Sequence, residues 1–205
     1  MKRLFAFIVL VTLIIGVNFV LPIVVKGVDM YQTALKDKPL TEYVNEIKSR
    51  ENYTTLDDIN PVFINALIHS EDTRFYSHPG FDLISLTRAF VTNIKEGKKA
   101  EGGSTITQQL AKNMYFTFEK KYERKIAELL VALELEKNYS KDEIIELYVN
   151  IINFGEDCFG IKTASIHYFN KLPSELNSTE IDALVYTIKS PNNYNPNKLN
   201  LSFSN

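Results

Sequence analysis

Three polar clusters in this chain carry side chains suited to moving protons and holding anions. The first runs Glu71-Asp72-Thr73-Arg74-Phe75-Tyr76-Ser77-His78-Pro79-Gly80 and is dense in ionisable and aromatic groups. A carboxylate crowded by apolar side chains loses solvation, which raises its pKa and suits it to take up a proton. Glu71 beside Phe75 and Tyr76 is the candidate general base. Taken alone, the segment also reads as a helix C-terminus with solvated charges.

The second cluster is Gly102-Gly103-Ser104-Thr105-Ile106-Thr107-Gln108-Gln109-Leu110-Ala111-Lys112-Asn113. Two glycines leading into a helix expose backbone N–H groups, and a helix N-terminus attracts anions. Ser104, Thr105, Gln108 and Gln109 add neutral hydrogen-bonding groups, and Lys112 adds a cation. The combination suits sugar hydroxyls and a phosphate. It is not a Walker loop, because no Gly-Lys-Ser/Thr follows at the required spacing.

The third runs from Glu119 to Glu128 and holds Lys120, Lys121, Arg124 and Lys125. Arg124 and Glu128 are four apart and share a helix face. Such a pair is ordinarily a surface ion pair worth a fraction of a kcal/mol. With Lys112 and Lys120 nearby it can instead form a basic pocket for a pyrophosphate, with Glu128 fixing the cations.

The elements that must position these groups are helical. Asn60-Pro61 supplies an N-cap and a proline at the first helical position of a helix running to His69. A second helix is expected over 82–95, closed by Gly97. Ser104 or Thr105 caps a short helix through Lys112. Tyr122 to Lys137 is expected to be a helix with Ile126, Leu129, Leu130 and Leu133 on its apolar face. Ser140 with Glu143 forms a capping box opening the next helix, through Tyr148. Helices over 160–169 and 178–189, the latter preceded by Asn177 with Glu180 three residues on, complete a mainly α chain without a strand pattern or internal repeat.

At 205 residues, 45% hydrophobic and 23% charged, the chain has room for one substantial domain and a short appendage. A net charge of -2 argues against a nucleic-acid binder. The lone Cys158 excludes an internal disulfide, and no Cys/His spacing resembles a zinc site. After Met1-Lys2-Arg3 an almost unbroken apolar run, Leu4 to Val25, is long enough to span a bilayer. Lys2 and Arg3 hold the N-terminus in the cytoplasm by the positive-inside preference, which exports the rest. A cleaved signal peptide is the competing reading, but no Ala-x-Ala-like site follows the run. The expected division is a transmembrane anchor over 1–25, a membrane-proximal linker with some helix over 26–55, and a folded domain over 56–205, its helices beginning near Leu56.

Taken in order, the clusters closely resemble the family 51 peptidoglycan glycosyltransferases. That module occurs alone, as monofunctional enzymes, and as the N-terminal half of bifunctional penicillin-binding proteins. Its motifs match Glu71-Asp72-x-x-Phe75-x-x-His78-x-Gly80, Gly102 to Asn113, and Arg124-Lys125-x-x-Glu128. Lys141 to Asn150 with Phe154-Gly155, Gly160, Ala164 and Tyr168-Phe169 looks like the next two, and Ser190-Pro191-x-x-Tyr194-Asn195-Pro196 like the last. The match covers Leu56 to Pro196. The resemblance implies a lysozyme-like α-helical fold in two lobes, the smaller lying against the membrane. It implies polymerisation of lipid II into glycan strands by inverting transfer, with undecaprenyl pyrophosphate leaving, on the outer face of a bacterial membrane.

On that reading Glu71 is the base, and Glu128 matches the second essential carboxylate, holding cations and substrate in place. Lys112, Lys120, Arg124 and Lys125 stabilise the leaving pyrophosphate, while Ser104, Gln108 and Gln109 bind sugar or phosphate oxygens. A loosely held divalent cation, Mg or Mn, accompanies the pyrophosphate, although no metal ligand can be named. The implied partners are lipid II, the growing glycan strand, the membrane and penicillin-binding transpeptidases, with no nucleic acid. Two departures stand out. Lys120 occupies a position where family members often carry arginine, and lysine keeps the charge but loses the bidentate fork. The chain also stops at Asn205, where relatives usually continue into another helix. No Ser-x-x-Lys occurs, so no transpeptidase centre is expected. A lytic enzyme on the same scaffold would need a protonated acid at the leaving oxygen and has little use for clustered cations. A non-catalytic lipid II-binding partner of the cell-wall machinery is the alternative from a different class, and it leaves both glutamates without a role.

Overall fold

In the computed structural model, which describes residues 2–97, 102–116 and 121–199 (backbone only for 8–10, 12 and 13), the N-terminus is one unbroken helix, α1 (Lys2–Asp37). Its 36 residues span about 54 Å at about 1.5 Å per residue, well beyond a hydrocarbon layer of about 30 Å. The stretch Ile14–Asp37 is long and apolar enough to cross a membrane. Yet Tyr31 and Leu35 pack against the core, so the C-terminal turns of the same helix belong to the folded body.

Residues 26–48 are thus helical but for a short break. The chain breaks at Lys38-Pro39, and α2 (Leu40–Lys48) follows with Leu40, Val44 and Ile47 buried. Their spacing of four and three residues is a helical apolar stripe. The intervening charges Glu42, Glu46 and Lys48 interrupt that stripe in the sequence.

Among the described residues eight further helices follow: α3 (Pro61–Glu71), α4 (Leu83–Glu96), α5 (Ile106–Tyr115), α6 (Tyr122–Asn138), α7 (Lys141–Ile151), α8 (Ile161–Phe169), α9 (Ser178–Lys189) and α10 (Pro191–Tyr194). The described residues hold no strand, only an isolated antiparallel bridge between Asn153 and Phe159. The caps fall where the sequence put them. Asn60 accepts from the Val62 N–H, Asp82 from Ile84 and Ser85, and Gly97 closes α4 in the left-handed conformation. Capping boxes pair Ser140 with Glu143 and Asn177 with Glu180.

The core lies around α7, which buries seven of its residues, from Ile144 to Ile151. A helix apolar on nearly every side must be surrounded. Here α2, α5, α6 and α8 pack on it, while α3 pairs with α9 and α1 with α6. On α6 the buried face differs from the expected one: Arg124, Ala127, Glu128, Val131, Ala132 and Leu135 turn inward. Ile126 meets Gly27 of α1, and Leu133 is partly exposed. The expected stripe was assigned by the largest side chains. The observed face is set by small alanines that admit a tight approach and carry two charged residues inside.

Candidate active site

The segment after α3 is held by two brackets to the start of α5. The buried Asp72 faces His78 Nε2 with both carboxylate oxygens, at 3.0 and 2.9 Å, and accepts from the Ile106 N–H at 3.0 Å. The Gly80 N–H donates to His78 Nδ1 at 3.2 Å, so the proton sits on Nε2 and points at Asp72. Thr105 Oγ1 donates to the Gly80 carbonyl at 2.7 Å. These contacts fix the C-terminus of α3 against the N-terminus of α5, and with it Glu71 against Gln109.

Gln109 Nε2 donates to Glu71 Oε2 at 3.0 Å, and Ser70 Oγ lies 3.4 Å from Oε1. Phe75 and Tyr76, expected to flank Glu71, do not partner it. Phe75 is fully buried in the core, and Tyr76 is exposed and donates to Asp142. The 3-10 turn Phe75–Ser77 swings both rings away.

Glu71 lines a cleft of about 420 Å³ with Ser70, Asp72, Thr73, Ser85, Arg88, Gly102, Ser104, Thr105, Gln109 and Lys189. Ser85 and Arg88 come from α4, Lys189 from the end of α9. Gly103 makes this wall possible, because a Cβ there would lie 3.1 Å from the Leu86 backbone and 3.4 Å from Ala89. A side chain would push the chain off α4.

Ser104 connects this cleft to the charged cluster of α6. Lys125 Nζ donates to Ser104 Oγ at 3.0 Å and lies 2.6 Å from Glu128 Oε2. The other carboxylate oxygen of Glu128 pairs with Arg124. The Glu128 side chain is 0% exposed and that of Arg124 10%. A carboxylate so buried costs several kcal/mol to desolvate unless cations compensate it, as two do here. Glu128 thus holds Arg124 and Lys125 in place rather than facing the cleft.

Lys112 stands in an adjoining chamber of about 400 Å³ whose walls include Asn113, Tyr148 and Asn153, and which shares Gln109 and Lys189 with the first. A third chamber of about 360 Å³ shares Asn113 and Asn153 with the second and adds Tyr43, Arg50, Phe116 and Phe159. The three form a continuous groove. Aromatic rings beside asparagines and cations suit a run of sugar rings.

Of the residues singled out from sequence, Glu71, Ser104 and Gln109 come together around the cleft, with Arg124, Lys125 and Glu128 behind Ser104. Gln108 does not join them: its side-chain oxygen accepts from the Thr105 N–H at 3.0 Å, closing a capping box. The signal was in the sequence, as Thr105-x-x-Gln108. Lys120 lies outside the described residues. Lys189 and Arg88 were missed. Lys189 sits beside Ser190-Pro191, a motif noted without its neighbour, whereas Arg88 looks like any solvated helix residue until α4 is seen to wall the cleft. Among the described residues no cluster of three or more His, Cys, Asp or Glu could hold a metal ion. The carboxylates nearest the cleft are already engaged, Asp72 by His78 and Ile106 and Glu71 by Gln109. A protein-held divalent cation does not fit this donor set.

Residues 28–204 match the family model described as Transglycosylase. The chain is 47% identical over 131 residues to penicillin-binding protein 1F of Bacillus subtilis (strain 168), covering 64% of this chain and 18% of that protein. Penicillin-binding protein 1A of Neisseria lactamica is 40% identical over 177 residues, 83% of this chain and 22% of that protein. Penicillin-binding protein 1A/1B of Bacillus subtilis (strain 168) is 39% identical over 169 residues, covering 82% and 18%. The chain therefore spans about a fifth of the length of these relatives.

Proposed function

Because the chain belongs to the transglycosylase family, we propose that it polymerises lipid II into peptidoglycan glycan strands, with Glu71 as the general base. The observation that carries this reading is the cleft itself. A carboxylate oriented by Gln109 stands on one wall, and Arg88, Lys189 and the Ser104–Lys125 pair stand around it.

A sugar hydroxyl is a poor nucleophile at neutral pH. As its oxygen bonds to the anomeric carbon of the donor, the proton passes to Glu71 and the bond from the anomeric carbon to the pyrophosphate oxygen breaks, its electron pair leaving with that oxygen. General base catalysis of this kind supplies about 10²–10⁴-fold in rate. The pyrophosphate leaves as an anion and needs no proton, only positive charge held ready where that charge develops. Lys125, Arg124, Lys189, Arg88 and Lys112 supply it, with Glu128 fixing the first two. Attack opposite the leaving group inverts the anomeric centre. The groove past Gln109 to Phe159 gives a long sugar chain a path. No step is assigned to a protein-bound metal. A divalent ion such as Mg or Mn enters only as a companion of the substrate's pyrophosphate.

The reading also sets the protein in a bacterial membrane by a single pass of α1, with the catalytic body on the extracytoplasmic side. Lys2 and Arg3 precede the apolar run and support that sidedness. On α4, Leu83, Ile84, Leu86, Phe90, Val91 and Ile94 are exposed while Ser85 and Arg88 line the cleft. An unpartnered apolar face beside the site suits contact with the lipid surface that carries the substrate. A penicillin-binding transpeptidase is the partner this reading expects, because new strands must be cross-linked. The test is incubation of the detergent-solubilised chain with purified lipid II, with and without divalent cation. Glycan ladders on a gel support the reading, and no polymer from folded protein across several ions and detergents overturns it in favour of a lipid II-binding partner.

A further inference from the structure

We infer that Tyr148 is a positioning residue for Glu71, acting through the side-chain amide of Gln109. The inference rests on Glu71 being the base.

Tyr148 lies on α7 with its side chain fully buried. Its hydroxyl donates to Gln109 Oε1 at 2.8 Å, and Gln109 Nε2 donates to Glu71 Oε2 at 3.0 Å. An ionised carboxylate only accepts hydrogen bonds, so the amide must turn its NH₂ group toward Glu71. The amide oxygen then faces Tyr148, which must donate. The direction of the whole relay follows from the charge at one end. Were the hydroxyl absent, the amide oxygen would lose that donor, and the glutamine would be free to turn and present oxygen to the carboxylate.

Burial, and then the negative charges of Glu71 and Asp72, push the Tyr148 phenol well above its ordinary value. It therefore stays protonated, a donor only toward Gln109, across the working pH range. Tyr148 also lines the Lys112 chamber, so the relay runs between the two halves of the groove. Its attachment is firm, because α7 is the most enclosed helix of the fold. A base whose angle is set this way presents one oxygen to the acceptor hydroxyl while the other is held.

The test is steady-state polymerisation of lipid II by the full chain in detergent, over a range of pH, for wild type, Glu71→Gln, Tyr148→Phe, Gln109→Ala and the Tyr148→Phe/Gln109→Ala pair. The groups facing Glu71 in the cleft, Asp72, Arg88 and Lys189, are unchanged in all of them. Tyr148→Phe is expected to lower kcat roughly 10- to 100-fold, the scale of a misplaced reacting group, with KM little changed. The double variant falls no lower than Gln109→Ala alone, since Tyr148 acts only through Gln109.

Wild-type kcat in Tyr148→Phe, a loss that falls on KM instead of kcat, or a double variant that loses the product of both single effects each overturns the inference. Absence of polymer from wild type, or full activity in Glu71→Gln, instead removes the underlying reading. Should Tyr148→Phe fail to fold, 3-fluorotyrosine at position 148 keeps ring and hydroxyl. Its more acidic hydroxyl donates more strongly and changes kcat with KM little moved, and an unchanged kcat overturns the inference.

Discussion

Gly27 of α1 touches Ile126 of α6 so closely that a Cβ added to the glycine would lie 2.5 Å from the Ile126 Cβ and 2.8 Å from the Glu123 carbonyl. No side chain fits between them. The helix that holds the candidate membrane span is thus packed directly on the helix that carries Arg124, Lys125 and Glu128, within a turn of those residues.

Enlarging that contact should disturb both. In Gly27→Val, α1 and α6 must separate, and overpacking of this kind costs about 1–3 kcal/mol. The expected result is a lower melting temperature in detergent together with weaker polymerisation. Unchanged melting would show that the two helices part freely.

Glu128 and its cations should behave as a set. Removing the carboxylate in Glu128→Leu leaves Arg124 buried and uncompensated, at a cost of about 3–5 kcal/mol. Replacing both in Arg124→Leu/Glu128→Leu removes the stranded charge, so the double variant should melt above Glu128→Leu while remaining inactive. A double variant that melts as low as the sum of the two single losses would contradict the buried pairing.

Asp82 gives a pH signature. Burial pushes its carboxyl up, but Arg74 at 2.7 Å and hydrogen bonds from Ser85 outweigh this and hold it well below the usual aspartate range. A depressed folded value contributes stability above the unfolded value of about 3.9. That contribution is lost as pH falls through the folded value. Asp82→Asn keeps a cap for α4 but no charge. Wild type should melt above Asp82→Asn by a constant margin from pH 7 to about pH 5, and the margin should shrink below about pH 4. A margin unchanged down to pH 2 would show that the charge of Asp82 is not its source.

The apolar face of α4 should matter only at a lipid surface. Phe90→Glu/Ile94→Glu alters side chains that are 65% and 64% exposed, so folding should be untouched. Activity on lipid II in vesicles should fall, while activity in detergent micelles changes much less. Equal activity in vesicles would remove α4 from the membrane contact.

Much of this was legible in the sequence, for identifiable reasons. Helix ends announced themselves through Asn60-Pro61, Asp82, Thr105, Ser140 and Asn177, because capping is local chemistry. Glu71, Ser104 and Gln109 met as expected because short, tightly bonded segments carry them. What escaped was set by packing between distant elements. The α2 stripe is hidden among charges, and α6 turns Ala127 and Ala132 inward while α1 takes Ile126 and Leu133 stays exposed. Gln108 has the right chemistry for a sugar but is consumed by its own cap. Tyr148 was read only as the end of a helix, since nothing in the sequence places its hydroxyl against Gln109.

The central claim is that Glu71 takes the proton from the acceptor hydroxyl. The most direct measurement compares wild type and Glu71→Gln in two assays on the same preparations, binding of lipid II and rate of polymer formation. Glutamine keeps the shape of the side chain but accepts no proton at neutral pH. The account predicts binding within a few-fold of wild type and a loss of about 10² or more in rate. Polymer formed by Glu71→Gln at the wild-type rate would contradict it.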